Sequence, residues 1–487
     1  ADKELLKSAS TAITSVNGVY RSMWTAGWST TANTHQCFGI AAYNLALDCM
    51  ADDLIMQSQG NGWFWGDHCY NVKSNYTSSA FRSYDVWYAN YKWIANVNYI
   101  IDAEPEMAGT EADVAYVAGQ AYAIRALCYL NLATWFSRAP YNSLTGASRW
   151  NEPCVPVYTT GTSIDTGGQP RESLRTVYGR IDQDIDRAIE LLEKARETTL
   201  AENNKSHINL YVALGIKSRA CLAEGDWDGA FKAAKRVIDE GGYAVGTKSD
   251  LTGGMNSLDK QNVMWGAGIQ VADQAGGYAG FFTHMDNKEG AYAKSAPKLI
   301  SKQLYNRISA TDIRRDWWDP SDKESPYVSK KFSFANVASF LGDYIYMRVE
   351  EMYFTAAEAA LRLDDLKSAR ELMNTVMAER DPGYSANNRS GTLLGATTTT
   401  WTGSFLENIL THRRIELWGE YGRLFDVRRL GQGIDRRTDD GFSEECISMM
   451  NRRNVNITKA DTYDWVLTIP KAELDANPNI NEEDQNP

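Results

Sequence analysis

The chain has 487 residues, with 50 Lys and Arg against 62 Asp and Glu, a net charge of −12, and 43% hydrophobic residues. That suffices for a large core and, at roughly 150 residues per domain, for up to about three domains. The acid excess argues against nucleic acid, because phosphate binding needs Lys and Arg. There is no run of about 18 apolar residues to span a membrane as a helix, and 37 Gly with 12 Pro exclude a collagen-like or low-complexity chain.

The predicted elements are mostly helical. Residues 24–76 show no clear period and are rich in Gly, Ser, Thr and Asn. Tyr84 to Ile101 reads as a strongly aromatic helix, with Trp87 and Trp93 assigned to the core. Val114, Val117, Ala121, Ile124, Cys128, Leu132 and Trp135 are spaced by 3 or 4 and make one apolar stripe on a long helix. After an aperiodic stretch over 138–170, a second stripe runs from Leu174 through Val177, Ile181, Ile185 and Ile189 to Leu192. An internal repeat follows: Tyr211 to Ile238 and Glu350 to Met377 coincide at a shift of 139 residues, which places Ala220 on Ala359, Leu222 on Leu361 and Val237 on Val376. Each unit is a helix, a tight Gly-Asp or Asp-Asp turn and a second helix, in the tetratricopeptide style. Residues 241–331 and 381–401 are aperiodic. Ser404 to Leu424 reads as a final helix on which His412, Arg413 and Arg414 face Glu416 and Glu420, a salt-bridged structural helix.

Catalytic and metal signatures are absent from the sequence. The five His include no HExxH and no i,i+4 pair, and no Walker loop, GxSxG or GxGxxG occurs. Asp67-His68-Cys69 alternates faces on an extended chain and does not converge on a metal. Asp52 with Asp53, or Asp316 with Asp319, could serve as glycosidase carboxylates only across a cleft of defined width. The seven Cys are odd in number and form no CxxC, which argues against a zinc cage or a dense disulfide framework. No cofactor and no metal is expected.

The 15 Trp, 26 Tyr and 14 Phe make an aromatic surplus. Part of it sits in Gln57 to Tyr70, QSQGNGWFWGDHCY. Gly60, Gly62 and Gly66 let this stretch turn. On an extended backbone Trp63 and Trp65 share one face and Phe64 takes the other. Two indoles flanked by Asn61 and Asp67 suit a pyranose, which has an apolar C–H face and a rim of hydroxyls; the other reading packs one or both Trp under the loop. Trp28, Tyr278 and Phe282 are further loop candidates, whereas Trp317 and Trp318 are read as structural. Each aromatic contact adds on the order of 1 kcal/mol, so three of them with a few hydrogen bonds imply an affinity of about millimolar to tens of micromolar.

Four motifs occur in order: GQAYAIRALCYLNLATWFSRAPY (Gly119 to Tyr141), YMRVEEMYFTAAEAALRL (Tyr346 to Leu363), HRRIELWGEYGRLFDVRRLG (His412 to Gly431), and a tail with Ile469-Pro470, Asn477-Pro478 and Gln485-Asn486-Pro487. Together they resemble the SusD-like (SusD/RagB) nutrient-binding outer-membrane lipoproteins of Bacteroidetes through nearly the whole chain. One departure is that Met377 and Glu379 stand where basic positions usually follow the Asn at 374. The resemblance implies a mostly α single domain over 1–487. A scaffold of tetratricopeptide-like helix pairs, four in number, would lie mainly in 80–137, 172–240 and 345–430. A loop-rich ligand-binding part would lie mainly in 20–79, 138–171, 241–344 and 381–403. The Trp63 and Trp65 loop falls where relatives carry part of a glycan-binding arc. The chain starts at Ala1 without Met or a signal-like segment and is read as mature or trimmed; the resemblance implies an acylated Cys upstream as its only membrane contact. It further implies a protein on the extracellular face of the outer membrane that captures oligosaccharides or polysaccharides. It would deliver them, without turnover, to a SusC-like TonB-dependent transporter. The alternatives are a protein-interaction or peptide-binding lid of such a transporter and, less favoured, a glycoside hydrolase.

Overall fold

The structure, a computed structural model, describes residues 3–25, 33–71, 81–270, 279–460 and 462–487. It is mostly helical. The principal helices are α1 (Ala9–Ser22), α2 (Ile40–Met50), α3 (Trp65–His68), α4 (Phe81–Ala103), α5 (Glu111–Phe136), α6 (Leu174–Lys194), α7 (Leu210–Glu224) and α8 (Trp227–Glu240). After them come α9 (Phe281–Met285), α10 (Val349–Arg362), α11 (Leu366–Ala378), α12 (Phe405–Leu417), α13 (Arg423–Leu430) and α14 (Glu444–Arg452).

The scaffold follows from the periodicities. Thr110 caps α5, its side chain accepting from the Asp113 amide, and the helix is buried almost without a break from Ala115 to Phe136. The sequence shows only one stripe there, but α5 packs between α4 and α6 and also meets α1. α6 remains two-faced: Leu174, Val177, Ile181, Ile185, Ala188 and Leu192 are buried between polar positions.

The internal repeat is real down to its turns. Gly225 and Asp364, 139 residues apart, both take a left-handed backbone, with φ of 74° and 62°. The next residues, Asp226 and Asp365, cap α8 and α11, each accepting at 3.0 Å from the amide of Gly229 or Ser368. Ala220 and Ala359 are fully buried at the crossing. The two hairpins stack directly, because α8 packs against α10. The intervening chain is therefore an insertion looped out between two neighbouring repeats. Three short-turn hairpins are visible, α4 with α5, α7 with α8 and α10 with α11, while α6 packs on both α5 and α7 and α12 packs on α10. Three hairpins are thus seen among the described residues where four helix pairs are expected, and α6 and α12 pack on them singly.

Where α7 ends, Glu224 shares a hydrogen bond with Asp182 of α6. Burial, then the neighbouring Asp182 charge, pushes the Glu224 carboxyl up to about 9. Burial also raises Asp182, aided by Asp186. A raised carboxyl stabilises the fold below its unfolded value and loses that contribution as pH rises through its folded value. Glu224→Gln supplies the donor permanently. It is expected to melt like wild type at pH 5 and to be more stable, by on the order of 1 kcal/mol, at pH 8.5. Thermal denaturation at the two pH values reads this, and equal melting at pH 8.5 would contradict the shared proton.

The aperiodic stretches contain small elements. α2 is buried from Ile40 to Met50 except at Asn44, so it shows no broad polar face to give a period. Strands β1 (Leu54–Met56), β3 (Lys298–Ile300), β4 (Trp318–Asp319) and β5 (Val328–Ser329) form an antiparallel sheet in the order β1-β3-β5-β4. Its register sets Leu54 opposite Ile300 and Trp318 opposite Ser329. β2 (Val263–Ala267) pairs antiparallel with β6 (Tyr344–Arg348), which runs directly into α10.

The predicted helix over Ser404 to Leu424 is two helices. α12 ends at Leu417, and Gly419 with φ 73° turns the chain before α13 begins. Nor do its charges pair along the helix. Glu416 is fully buried and accepts from Arg314, Arg348 and Arg380 at 2.9–3.1 Å. Glu420 accepts from Arg348 and Lys331. Arg413 pairs with Asp426, and Arg414 with Asp53 at 2.6 Å. The partners come from elsewhere in the chain, because α12 is a core helix rather than a surface one.

Candidate functional site

The loop before α3 departs from the extended form expected of it. Gly60 (φ 51°) and Gly62 (φ 89°) turn it, and a Cβ on Gly60 would sit 2.6 Å from the Ser295 carbonyl oxygen. Phe64, though not a glycine, has φ 61°, and its amide donates to Gln36 Oε1 at 2.8 Å. This left-handed residue breaks the alternation on which Trp63 and Trp65 would share a face. Phe64 points inward, fully buried, edge-on to His284 and Phe38 and under the Arg82 guanidinium. Trp65 opens α3 and is only 3% exposed, so it is a core residue and offers no ring face to a ligand.

Asp67 is likewise internal. It is fully buried, and its two oxygens accept from Arg82 Nε at 2.8 Å and Nη2 at 3.0 Å. Arg82 also donates to the Gln36 carbonyl. The carboxylate assigned to sugar hydroxyls is instead the anchor of its own loop. Phe282, in α9, is 2% exposed and packs among Phe281, Phe334 and Tyr344, so it too belongs to the core. Trp28 and Tyr278 lie outside the described residues. Trp317 and Trp318 are buried, in keeping with their structural reading.

Two of the proposed residues stay at the surface. Asn61 is exposed, as are Gln57 and Gln59 in the same turn, and Trp63 is half-buried. One face of the Trp63 indole lies on the His35 imidazole, at 4.8 Å between centroids and 17° between planes. Tyr292 meets Trp63 edge-on and bonds His35 Nδ1 through its hydroxyl at 2.6 Å. The His284 Nε2–H donates to the His35 carbonyl at 2.6 Å, and burial lowers the His284 pKa well below the usual range, so that ring is neutral. Trp63 is thus a fixed, uncharged stacking plate seated on a layer of rings, with amide side chains beside it. His35, Tyr292 and His284 gave no sequence signal, because they converge from three separate segments.

Several clefts lie among other residues, two of them rich in aromatic side chains. One of about 330 Å³ is lined by Trp87, Tyr88, Tyr91, Lys92, Tyr158 and Glu473. The spacing of Tyr84, Tyr88 and Lys92 by four on α4 could have marked it. Its polar atoms are largely occupied: Trp87 Nε1 donates to Glu473, the Tyr91 hydroxyl to the Pro156 carbonyl, and the Tyr158 hydroxyl accepts from the Gln169 amide. The other, of about 540 Å³, includes Tyr20, Trp24, His207 and Trp265. Asp52 and Asp53 face Arg414 and Arg423 in buried ion pairs rather than each other across a cleft. Among the described residues no three His, Cys, Asp or Glu side chains are grouped to hold a metal ion, and no helix is long and apolar enough to cross a membrane.

Stacked two-helix repeats interrupted by long insertions, with the candidate plate on one of the irregular segments, define a helical-repeat scaffold. The chain belongs to the SusD family. Residues 292–487 match the model described as SusD family, and residues 21–222 match the model described as starch-binding associating with outer membrane. A SusD-like carbohydrate binding protein from Bacteroides vulgatus shares 25% identity and superposes with a TM-score of 0.77, covering 98% of each chain. A SusD superfamily protein from Bacteroides thetaiotaomicron shares 22% identity at a TM-score of 0.77, covering 99% of this chain and 100% of the other. Surface glycan-binding protein A from the same organism shares the fold at 16% identity and a TM-score of 0.68, covering 99% of each chain. No curated protein matches the chain significantly in sequence.

Proposed function

We propose that this protein binds glycans at the cell surface and passes them, unhydrolysed, to a SusC-like TonB-dependent transporter in the outer membrane, to which it is held by an N-terminal lipid. The observation that carries the reading is the Trp63 plate: a half-buried indole set on His35, with Asn61 and Gln59 exposed in the same turn. A pyranose presents a C–H face to such a ring and hydroxyls to such amides. Family membership and the likeness to a carbohydrate binding protein support the same ligand class. Binding without turnover is supported by Asp52 and Asp53, whose charges are committed to arginine partners. One aromatic plate with a few amide contacts corresponds to about millimolar to tens of micromolar affinity, which suits a protein that hands its ligand on.

Native affinity electrophoresis through gels containing a panel of polysaccharides tests this, together with an assay for reducing ends released from the same panel. Retardation by at least one glycan without new reducing ends is expected. Release of reducing ends would establish a hydrolase. Absence of any retardation, with the protein still co-purifying with a transporter, would favour a protein-interaction lid.

A further inference from the structure

All seven cysteines are buried with free thiols, and the function proposed above uses none of them. Two of them meet. Cys69 directly follows α3, its amide donating to the Trp65 carbonyl at 2.9 Å. Cys446 lies in the first turn of α14, its amide held by Ser443 Oγ at 3.1 Å. The Cys69 and Cys446 thiols interact electrostatically with each other. Cys446 Sγ is also 3.7 Å from the carbonyl oxygen of His68, the residue preceding Cys69. No other pair of the seven is joined in this way.

The surroundings favour a thiolate at Cys446. Arg436 Nη1 lies 3.6 Å from its sulfur. The other partners of that guanidinium are the carbonyls of Cys49, Ala51 and His68 and the sulfur of Met450, with no carboxylate among the described residues. A guanidinium and the start of a helix both stabilise negative sulfur. The Cys69 thiol, then the neighbouring His68, hold Cys446 well below the usual thiol range, and Cys446 in turn raises Cys69.

We propose that Cys69 and Cys446 form an intramolecular disulfide under oxidising conditions, tying α3, which lies directly behind the Trp63 turn, to α14. The oxidant is a small-molecule or protein disulfide. The Cys446 thiolate attacks one of its sulfurs and expels a thiolate. Cys69, deprotonated, then attacks Cys446 Sγ in the mixed disulfide and expels the second. The oxidant disulfide accepts two electrons and, with the two thiol protons, leaves as two thiols. The bond would close a loop spanning residues 69 to 446, and cross-links over long stretches restrict the unfolded chain most. The proposal is independent of the glycan reading, and either can fail without the other.

The test uses the full chain, refolded from denaturant in buffer containing oxidised and reduced glutathione so that every thiol is reachable. It is then unfolded and labelled with N-ethylmaleimide. Of seven cysteines, two are expected to be protected and 7 − 2 = 5 labelled, with a proteolytic map joining the Cys69 and Cys446 peptides. Reduction should restore seven labels and lower the melting temperature. Cys446→Ser should label at all 7 − 1 = 6 remaining thiols, and its melting temperature should no longer depend on reductant. Seven labels after oxidative refolding of the wild type, or a bond joining other cysteines, would overturn the proposal.

Discussion

Replacing Glu416 by alanine is expected to destabilise the protein by about 3–5 kcal/mol, a large fraction of a typical domain's stability. Glu416 sits where α12 passes through the core, and its two oxygens serve three guanidinium groups. The surrounding set is balanced. Arg314, Arg348, Arg380 and Lys331 face Asp312, Glu350, Glu416 and Glu420, each of them buried at least nine-tenths. The Arg380 and Arg348 charges hold the Glu416 carboxyl well below its usual range against the opposing effect of burial. Taking out the shared anion leaves three cations with too few partners in a medium that cannot solvate them, and that penalty exceeds the loss of any single bond. Denaturant unfolding reads the cost as a drop in midpoint with little change in slope. A loss below about 1 kcal/mol, the range of exposed ion pairs, would mean that water reaches the network.

Asp67→Asn should behave as a structural substitution of nearly the same size, about 3 kcal/mol or more. The asparagine keeps the shape and removes the charge, leaving Arg82 fully buried beside the Gln36 carbonyl and the Phe64 ring without its counter-ion. Because that pair fixes the segment carrying Trp63, glycan binding should weaken along with the melting temperature. The two readings of Asp67 separate cleanly. A residue that touches sugar would lose affinity with stability unchanged, whereas the anchor seen here loses stability first. Arg82→Leu should cost a similar amount, and combining it with Asp67→Asn should cost far less than the sum, since the double variant removes both charges of the pair.

The contrast between scaffold and site shows what the sequence can express. The repeat was legible because it is written locally: a left-handed turn residue, an aspartate cap three residues before the amide it serves, and alanines where helices cross, all at a fixed shift of 139. The Trp63 plate was only half legible. Gly60 and Gly62 announced a turn, and Asn61 and Trp63 do lie at its surface. Nothing local announced that Phe64 would take a left-handed conformation, because that conformation is held by Gln36, from another part of the chain. One such residue sent Trp65 and Asp67 inward. The charged residues of α12 were misread for the same reason. Spacing along a helix says which side chains could pair, but not that the helix is buried among arginines from distant segments. Trp87 and Trp93, assigned to the core from an aromatic helical pattern, are buried there.

Under the proposed function, Trp63 carries the ligand while Trp65 carries the fold. Isothermal titration calorimetry of the wild type, Trp63→Ala and Trp65→Ala against the oligosaccharide that the wild type binds best, with a melting curve for each protein, tests it most directly. Trp63→Ala is predicted to melt close to wild type and to bind at least about tenfold more weakly, a loss of roughly 1.4 kcal/mol or more. Trp65→Ala is predicted to lose about 3–5 kcal/mol of stability. Undiminished affinity in Trp63→Ala would contradict the claim and move the site to another part of the surface.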